Sequence, residues 1–161
     1  MHGGDRGATT GMEKEKSVAL ITALREAHQK RHRLLVVLSG SYAWCKNVAM
    51  MWYANAKQRV WIGDAAHHEE IISAAKAKQM LGREYTLAVL DAHAGLSPDC
   101  LAAVSGTVVA GGVLVLLTPT WEQWGTTPDA DYARLASYPH DWRTLSSHFL
   151  LHLRSALEEF C

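Results

Sequence analysis

Four short apolar runs lie along the chain, and each is followed by small, polar or aromatic residues. Leu34–Leu38, Leu87–Leu90 and Val113–Leu117 are continuous aliphatic stretches, and Arg59–Ile62 is a shorter run of the same kind. Continuous apolar runs are typical of strands covered on both faces of a parallel sheet. The pattern therefore predicts four buried β-strands, with binding loops at their carboxyl ends.

Helical patterns precede, separate and follow these runs. Ser17 is the predicted N-cap of a first helix, whose last turn is rich in His, Lys and Arg. Further helices are predicted over Tyr42–Ala56, over Ala66–Met80, from Pro98 to a stop at Gly111-Gly112, and over Thr144–Phe160. This alternation predicts an α/β fold: a doubly wound, three-layer Rossmann-like sandwich with a mostly parallel sheet of at least four strands.

The length and composition are those of one globular domain. The chain has 161 residues, of which 48% are hydrophobic and 20% charged, so it can bury a sizeable core. Residues 1–12 are rich in Gly and lack the apolar core of a signal peptide. We predict a flexible leader over residues 1–12 and a single Rossmann-like domain over residues 13–161. The longest apolar run is too short to cross a bilayer, so we expect no membrane contact.

Charge and cysteine content restrict the function classes. Sixteen basic and sixteen acidic side chains cancel, whereas a free-standing nucleic-acid binder usually carries a basic surplus. The three cysteines, Cys45, Cys100 and Cys161, are widely spaced and form no CxxC pair. Neither a disulfide framework nor a thiolate metal site is indicated, and a reducing cytoplasm is the simplest setting. We expect no metal and no cofactor.

The loops after the strands should meet at one edge of the sheet and line a common cleft. The turn Ser39-Gly40-Ser41 could present amides to a phosphate, but it lacks the Lys-Ser or Lys-Thr pair of a phosphate loop. Asp91 ends a strand where a magnesium-holding carboxylate would sit, and His93 could pair with it. No nucleophile accompanies them, so a ligand cleft and plain loop or interface structure both stay open.

Two further clusters have more than one interpretation. Trp121, Glu122 and Trp124 follow the last strand, where the indoles could stack bases, anchor a partner or pack under the final helix. The dense basic cluster Lys30, Arg31 and Arg33 is either a solvated helix end or a contact to an RNA backbone within a larger assembly. The acidic segment 129–131 would repel phosphate, which favours a protein contact at its edge.

Several motifs occur in an order that resembles one family. They include Leu81-Gly-Arg-Glu-Tyr, Leu90-Asp-Ala-His-Ala-Gly-Leu and Leu116-Leu-Thr-Pro-Thr-Trp-Glu-Gln-Trp. From about Ser17 to Phe160 the chain resembles the N-terminal domain of bacterial tRNA(Met) cytidine acetyltransferases. The positions that match the family pattern are Asp91, Gly95, Gly106, Trp121, Glu122 and Trp124.

The resemblance implies an accessory role. Full-length members join a Rossmann-like domain to a helicase-like module that hydrolyses ATP with Mg and to an acetyltransferase module that uses acetyl-CoA. Together they acetylate N4 of the wobble cytidine of elongator tRNA(Met). The resemblance thus implies a non-catalytic docking domain without a cofactor of its own. Its partners would be those modules, in the same or a separate chain, and it would make at most a weak tRNA contact. An exposed docking patch could also cause homo-oligomerisation. The alternative is a stand-alone Rossmann-like protein that binds a small molecule or nucleotide.

Overall fold

The computed structural model describes residues 6–64 and 71–160. In chain order its principal elements are α1 (Arg6–Lys30), β1 (Leu34–Ser39), α2 (Tyr42–Asn55), β2 (Arg59–Gly63), β3 (Ile71–Ser73), β4 (Tyr85–Asp91), α3 (Pro98–Thr107), β5 (Val108–Thr118) and α4 (His148–Phe160). Short 3₁₀ helices span Ala74–Met80, Ala130–Arg134 and Trp142–Thr144. Within the described ranges, no helix is both long and apolar enough to cross a membrane.

The strands form one five-stranded sheet in the order β1-β5-β4-β2-β3, and every neighbouring pair is parallel. The predicted α/β fold is therefore confirmed. The four strands predicted from apolar runs are all present, because central parallel strands are buried on both faces and read as continuous hydrophobic stretches. β4 and β5 lie inside the sheet, and β1 and β3 form its two edges.

Helices cover both faces of this sheet. On one face, Cys45 and Ala49 of α2 pack in a cluster with Val89 of β4 and Val115 of β5, and α1 adds the half-buried Leu20. We call this the α2 face. The other face, here the α3 face, packs side chains of β4 and β5 against α3, α4 and the 3₁₀ helix Ala74–Met80. Alternate residues of each strand thus serve the two clusters, as a three-layer sandwich requires.

The fifth strand of the sheet, β3, is one that the apolar runs do not predict. The helix predicted over Ala66–Met80 is wrong in its described part, because Ile71–Ser73 pairs with β2 and only Ala74–Met80 is helical, as a 3₁₀ helix. Residues 66–70 of that prediction lie outside the described residues. The β-branched pair Ile71-Ile72 gains a strand partner here, and this tertiary contact outweighs the helix propensity of the neighbouring Ala and Lys residues.

Three predicted element boundaries are also wrong. α1 begins at Arg6, so Ser17 lies inside the helix and does not cap it; residues 1–5 of the predicted leader lie outside the described residues. α3 ends at Thr107, and Gly111 belongs to β5, where its φ of +82° accompanies a shift in the pairing with β4. α4 begins at His148, after a separate 3₁₀ turn.

Candidate functional site

The predicted cleft lies at the carboxyl ends of β1, β5 and β4. The chain leaves β1 for α2 on one face of the sheet, whereas it leaves the neighbouring β5 for α4 on the opposite face. Such a reversal opens a crevice between the two strand ends, which is the usual ligand position in open α/β sheets. The structure brings Ser39, Gly40 and Ser41 together with Asp91 and His93 at this crevice.

His93 bridges the crevice through both nitrogens of its ring. Nδ1 lies 2.9 Å from Oδ1 of Asp91, and Nε2 lies 3.1 Å from the carbonyl oxygen of Gly40, 53 residues away. The backbone N–H of His93 also donates to Oδ1 of Asp91, at 2.9 Å. A carboxylate and a carbonyl can only accept, so the ring makes both bonds only as the doubly protonated imidazolium. We call Asp91, His93 and Gly40 the crevice bridge.

The surroundings of the crevice bridge favour this charged form. Burial lowers the pKa of His93, but the hydrogen bonds to Asp91 and Gly40, with the charge of Asp91, outweigh burial and raise the pKa above its ordinary 6.5. The Tyr42 ring meets the His93 ring edge-on, with centroids 5.4 Å apart. Gly63, at the end of β2, lies so close to Asp91 that a Cβ built there would be 2.9 Å from the Asp91 Cβ.

The potential nucleophiles near the crevice are held in their protonated forms. Burial first, and then the charge of Asp91, raises the pKa of the Tyr42 hydroxyl and of the Cys45 thiol. The Cys45 thiol donates to the carbonyl of Leu38 at 3.2 Å. A thiol or phenol needs a lowered pKa, or an adjacent base, to attack at neutral pH. This arrangement therefore stabilises the fold rather than activating a nucleophile.

The two serines of the turn have structural partners as well. The Ser39 hydroxyl donates to the carbonyl of Pro119 at 2.8 Å, which ties the ends of β1 and β5 together. The Ser41 hydroxyl accepts a 3.4 Å hydrogen bond from the Trp44 amide and caps α2, with Ser41 in the extended N-cap conformation. These hydroxyls complete the turn, and no phosphate is needed to explain their placement.

The tryptophan loop lies beside α4. Trp124 is buried in the core of the α3 face, and the ring centroids of Trp121 and Trp124 are 5.5 Å apart. Trp121 Nε1 donates to Oε1 of Glu158 at 2.6 Å, and Arg154 Nη1 donates to both tryptophan carbonyls at 3.3 and 3.2 Å. Glu122 is exposed. Of the interpretations left open by the sequence, packing against the final helix is the one that these contacts favour.

A small cavity joins the two groups of predicted residues. Its volume is about 90 Å³, and its lining includes His93, Gly95, Trp124, Asp129 and Leu150. Ligand pockets for drug-sized molecules usually measure about 300 Å³ or more. This cavity is therefore too small for a nucleotide.

Asp129 is a buried residue whose role the sequence interpretation missed. It accepts hydrogen bonds from the backbone N–H of Leu96 at 3.2 Å and of Asp131 at 2.9 Å, so it joins the loops after β4 and β5. Burial raises its pKa, partly opposed by these two bonds. Gly95 lies against the Asp129 carboxylate with a φ of +111°. The available signal was the spacing Asp129–Asp131, which fits an Asx turn as well as an acidic patch.

The basic cluster lies at the opposite end of the sheet. Lys30 ends α1 and Arg33 precedes β1, so both lie roughly 20 Å from the crevice, the length of a six-residue strand. Lys30 Nζ lies 3.7 Å from Oε2 of Glu26. Arg31 directly follows α1 and lies in the left-handed region, with a φ of 56°. The structure therefore separates the predicted RNA contact from the predicted cleft.

The outward side of α2, which also bears the exposed Asn47, carries large apolar side chains that the sequence interpretation did not single out. Trp44 and Met51 are 51% and 61% exposed, and the half-buried Val48 lies between them at helical spacing. We call these three residues the α2 stripe. Lys46 is the single charged residue in the 14 residues of α2.

Comparisons with known proteins agree with the motif order. The family described as "tRNA(Met) cytidine acetyltransferase TmcA, N-terminal" matches residues 12–160. TmcA proteins of Pectobacterium atrosepticum, Citrobacter koseri and Haloarcula marismortui are 35%, 36% and 32% identical to the chain, over 82%, 86% and 88% of its length. These matches cover only 19%, 21% and 18% of the relatives, so the chain spans about a fifth of their length. The chain therefore belongs to the family of N-terminal domains of tRNA(Met) cytidine acetyltransferase TmcA.

Proposed function

We propose that this chain is the docking domain of a tRNA(Met) cytidine acetyltransferase and holds the other modules of that enzyme through the α2 stripe. The acetylation of N4 of the wobble cytidine, with its ATP, Mg and acetyl-CoA, is assigned to those helicase-like and acetyltransferase modules. This domain works in the cytoplasm and takes part in the reaction only as a scaffold. Its free thiols, the buried Cys45 and Cys100, suit that reducing compartment.

The apolar character of α2 on both sides carries the proposal. Cys45, Ala49 and Tyr53 face the core, while Trp44 and Met51 face outward. The exposed positions of α2 also include Asn47 and Asn55, but two large apolar side chains on a solvent-facing side are unusual, because such a side is normally polar. Large exposed apolar surfaces mark interaction sites, and Trp and Met are enriched in them. A partner on the outward side would remove Trp44 and Met51 from water.

The crevice bridge supports the non-catalytic part of the proposal. Asp91 and His93 bond to each other, and His93 also bonds to Gly40, so the side chains best suited to acid–base chemistry are engaged within the fold. The cavity of about 90 Å³ beside them does not favour the alternative, a stand-alone nucleotide binder. Any tRNA contact through Lys30, Arg31 and Arg33 would depend on charge alone, at the end of the sheet opposite the crevice.

A chimaeric enzyme tests the docking role. The chain replaces the matching fifth of the Pectobacterium atrosepticum relative, and incorporation of acetate into tRNA(Met) is measured against that relative without its N-terminal fifth. We expect the chimaera to be active and the truncated enzyme to lose most of its activity. Trp44→Glu with Met51→Glu should reduce the chimaera to the level of the truncated enzyme.

A matched double variant controls for added charge. Leu81→Glu with Leu135→Glu introduces the same two carboxylates at exposed leucines outside α2 and should keep the activity of the parent chimaera. Thermal melts of the isolated chain should be alike for both double variants, since all four side chains are exposed. The proposal is wrong if the α2 variant acetylates as well as its parent, or if the chimaera is no better than the truncated enzyme.

A further inference from the structure

A groove runs along β1 on the α3 face, away from both the crevice and the α2 stripe. Its volume is about 400 Å³, and its lining is mostly aliphatic, with Leu35 of β1, Leu101 of α3 and Leu114 of β5. Arg33 contributes the positive charge at its rim, and Ser105 a hydroxyl. Leu35 is 39% exposed, which is unusual for a residue in a run of five aliphatic residues. The groove is large enough for apolar side chains of a partner.

The strand beside the groove has an open edge. Among the described residues, β1 pairs with β5 on one side and with no strand on the other. Its sequence Leu-Leu-Val-Val-Leu-Ser contains no charge, proline or glycine. Natural edge strands usually carry such features, because an open apolar edge recruits another strand. The opposite edge strand, β3, is only three residues long and offers few free hydrogen-bonding groups to another strand, whereas β1 has six residues.

We propose, as an extension of the proposed function, that an extended segment from the downstream part of the enzyme adds to β1 as a sixth strand. The alternate apolar side chains of this segment enter the groove beside Leu35, and an acidic residue pairs with Arg33. Main-chain hydrogen bonds along the edge provide affinity, and the groove provides specificity, as in other cases of strand addition.

Two observations favour the downstream chain as the occupant. The matched region is the N-terminal fifth of the relatives, so about four-fifths of each relative follows it. α4, the last element of the matched region, packs on the α3 face through Leu150, with the half-buried Phe149 and Leu153 beside it. A chain that continues from α4 therefore starts on the face that contains the groove.

Hydrogen–deuterium exchange tests the strand addition directly. Exchange is followed in the isolated chain and in the chimaera described above, separately for peptides that cover β1 and α2. We expect the β1 amides that face away from β5 to exchange about tenfold or more slowly in the chimaera, because they gain hydrogen-bond partners. Leu35→Glu should remove this protection of β1 and leave the protection of α2 unchanged. Leu81→Glu, an exposed leucine outside the groove, should alter neither.

The outcomes separate this proposal from the docking role of α2. Unchanged β1 exchange in a chimaera whose α2 is protected would overturn strand addition and leave the proposed function standing. Unchanged exchange at both elements would count against both proposals. If β1 of the isolated chain becomes protected as its concentration rises, and sedimentation shows a dimer, the edge receives a second copy and the downstream segment is not its occupant.

Discussion

Replacing His93 by Phe should destabilise the fold in a strongly pH-dependent way. The substitution keeps an aromatic ring against Tyr42 but removes the ring hydrogen bonds to Asp91 and Gly40. The side chains of His93 and Asp91 are only 16% and 3% exposed, so water replaces these bonds poorly. A hydrogen bond to a charged group contributes about 1.5–3 kcal/mol, and Asp91 retains the backbone amide of residue 93. We expect a loss of about 3 kcal/mol in the free energy of unfolding at pH 6.

The sign of the pH dependence follows from the raised pKa of His93. Above pH 6.5 the folded chain keeps a proton that the unfolded chain releases, so unfolding becomes easier as the pH rises. The part of the His93 contribution that depends on its charge is complete below pH 6.5 and disappears as the pH passes through the pKa of the folded state. Neutral imidazole can donate to only one of its two acceptors. The difference between parent and variant should therefore shrink to about 1 kcal/mol at pH 9.

Urea unfolding of both chains at pH 6 and pH 9 measures this difference, and all other titrating groups are common to the two proteins. An NMR titration of the His93 ring gives the pKa of the folded state independently. An equal difference at both pH values would refute the reasoning. A His93 midpoint at or below 6.5 would do the same.

Two matched pairs of substitutions, measured by urea unfolding, test the packing around the crevice. Gly95→Ala places a methyl group against the Asp129 carboxylate at a positive φ and should lower the free energy of unfolding by about 3 kcal/mol. Gly82 also has a positive φ but lies in open space, so Gly82→Ala should lower it by only about 1 kcal/mol. Trp124→Leu should cost about 3 kcal/mol because the Trp124 ring is buried. Trp121→Leu should cost less than about 1 kcal/mol because the hydrogen bond of Trp121 to Glu158 is exposed to water. A reversed order within either pair would contradict the placement of these residues.

The sequence predicted best what depends on local hydrophobic pattern. The runs at Leu34–Leu38 and Val113–Leu117 became neighbouring strands, since burial on both faces leaves a continuous apolar signal. β3 was missed because three residues at a sheet edge carry little pattern, and the adjacent Ala and Lys residues favour helix. Ile71 and Ile72 form a strand only because β2 lies beside them.

The candidate cleft was predicted in outline but not in its bonding. That the ends of β1 and β4 meet follows from parallel topology, and the proximity of Asp91 and His93 follows from their spacing. The bond from His93 to Gly40 spans 53 residues and leaves no local trace in the sequence. The outward side of α2 was overlooked because the spacing of apolar residues predicts a helix but does not predict which of those residues the sheet leaves exposed.

The close approach of Gly63 to Asp91 extends the crevice bridge to β2. The ends of β1, β2 and β4 thus meet at the Asp91 side chain. A methyl group added at Gly63 would displace Asp91 and, with it, the His93 ring that holds the turn after β1. Substitutions at Gly63, Asp91 and His93 are consequently not independent. Redesign of this edge has to exchange these residues as a set, and among natural variants a change at one of them is expected to be accompanied by changes at the others.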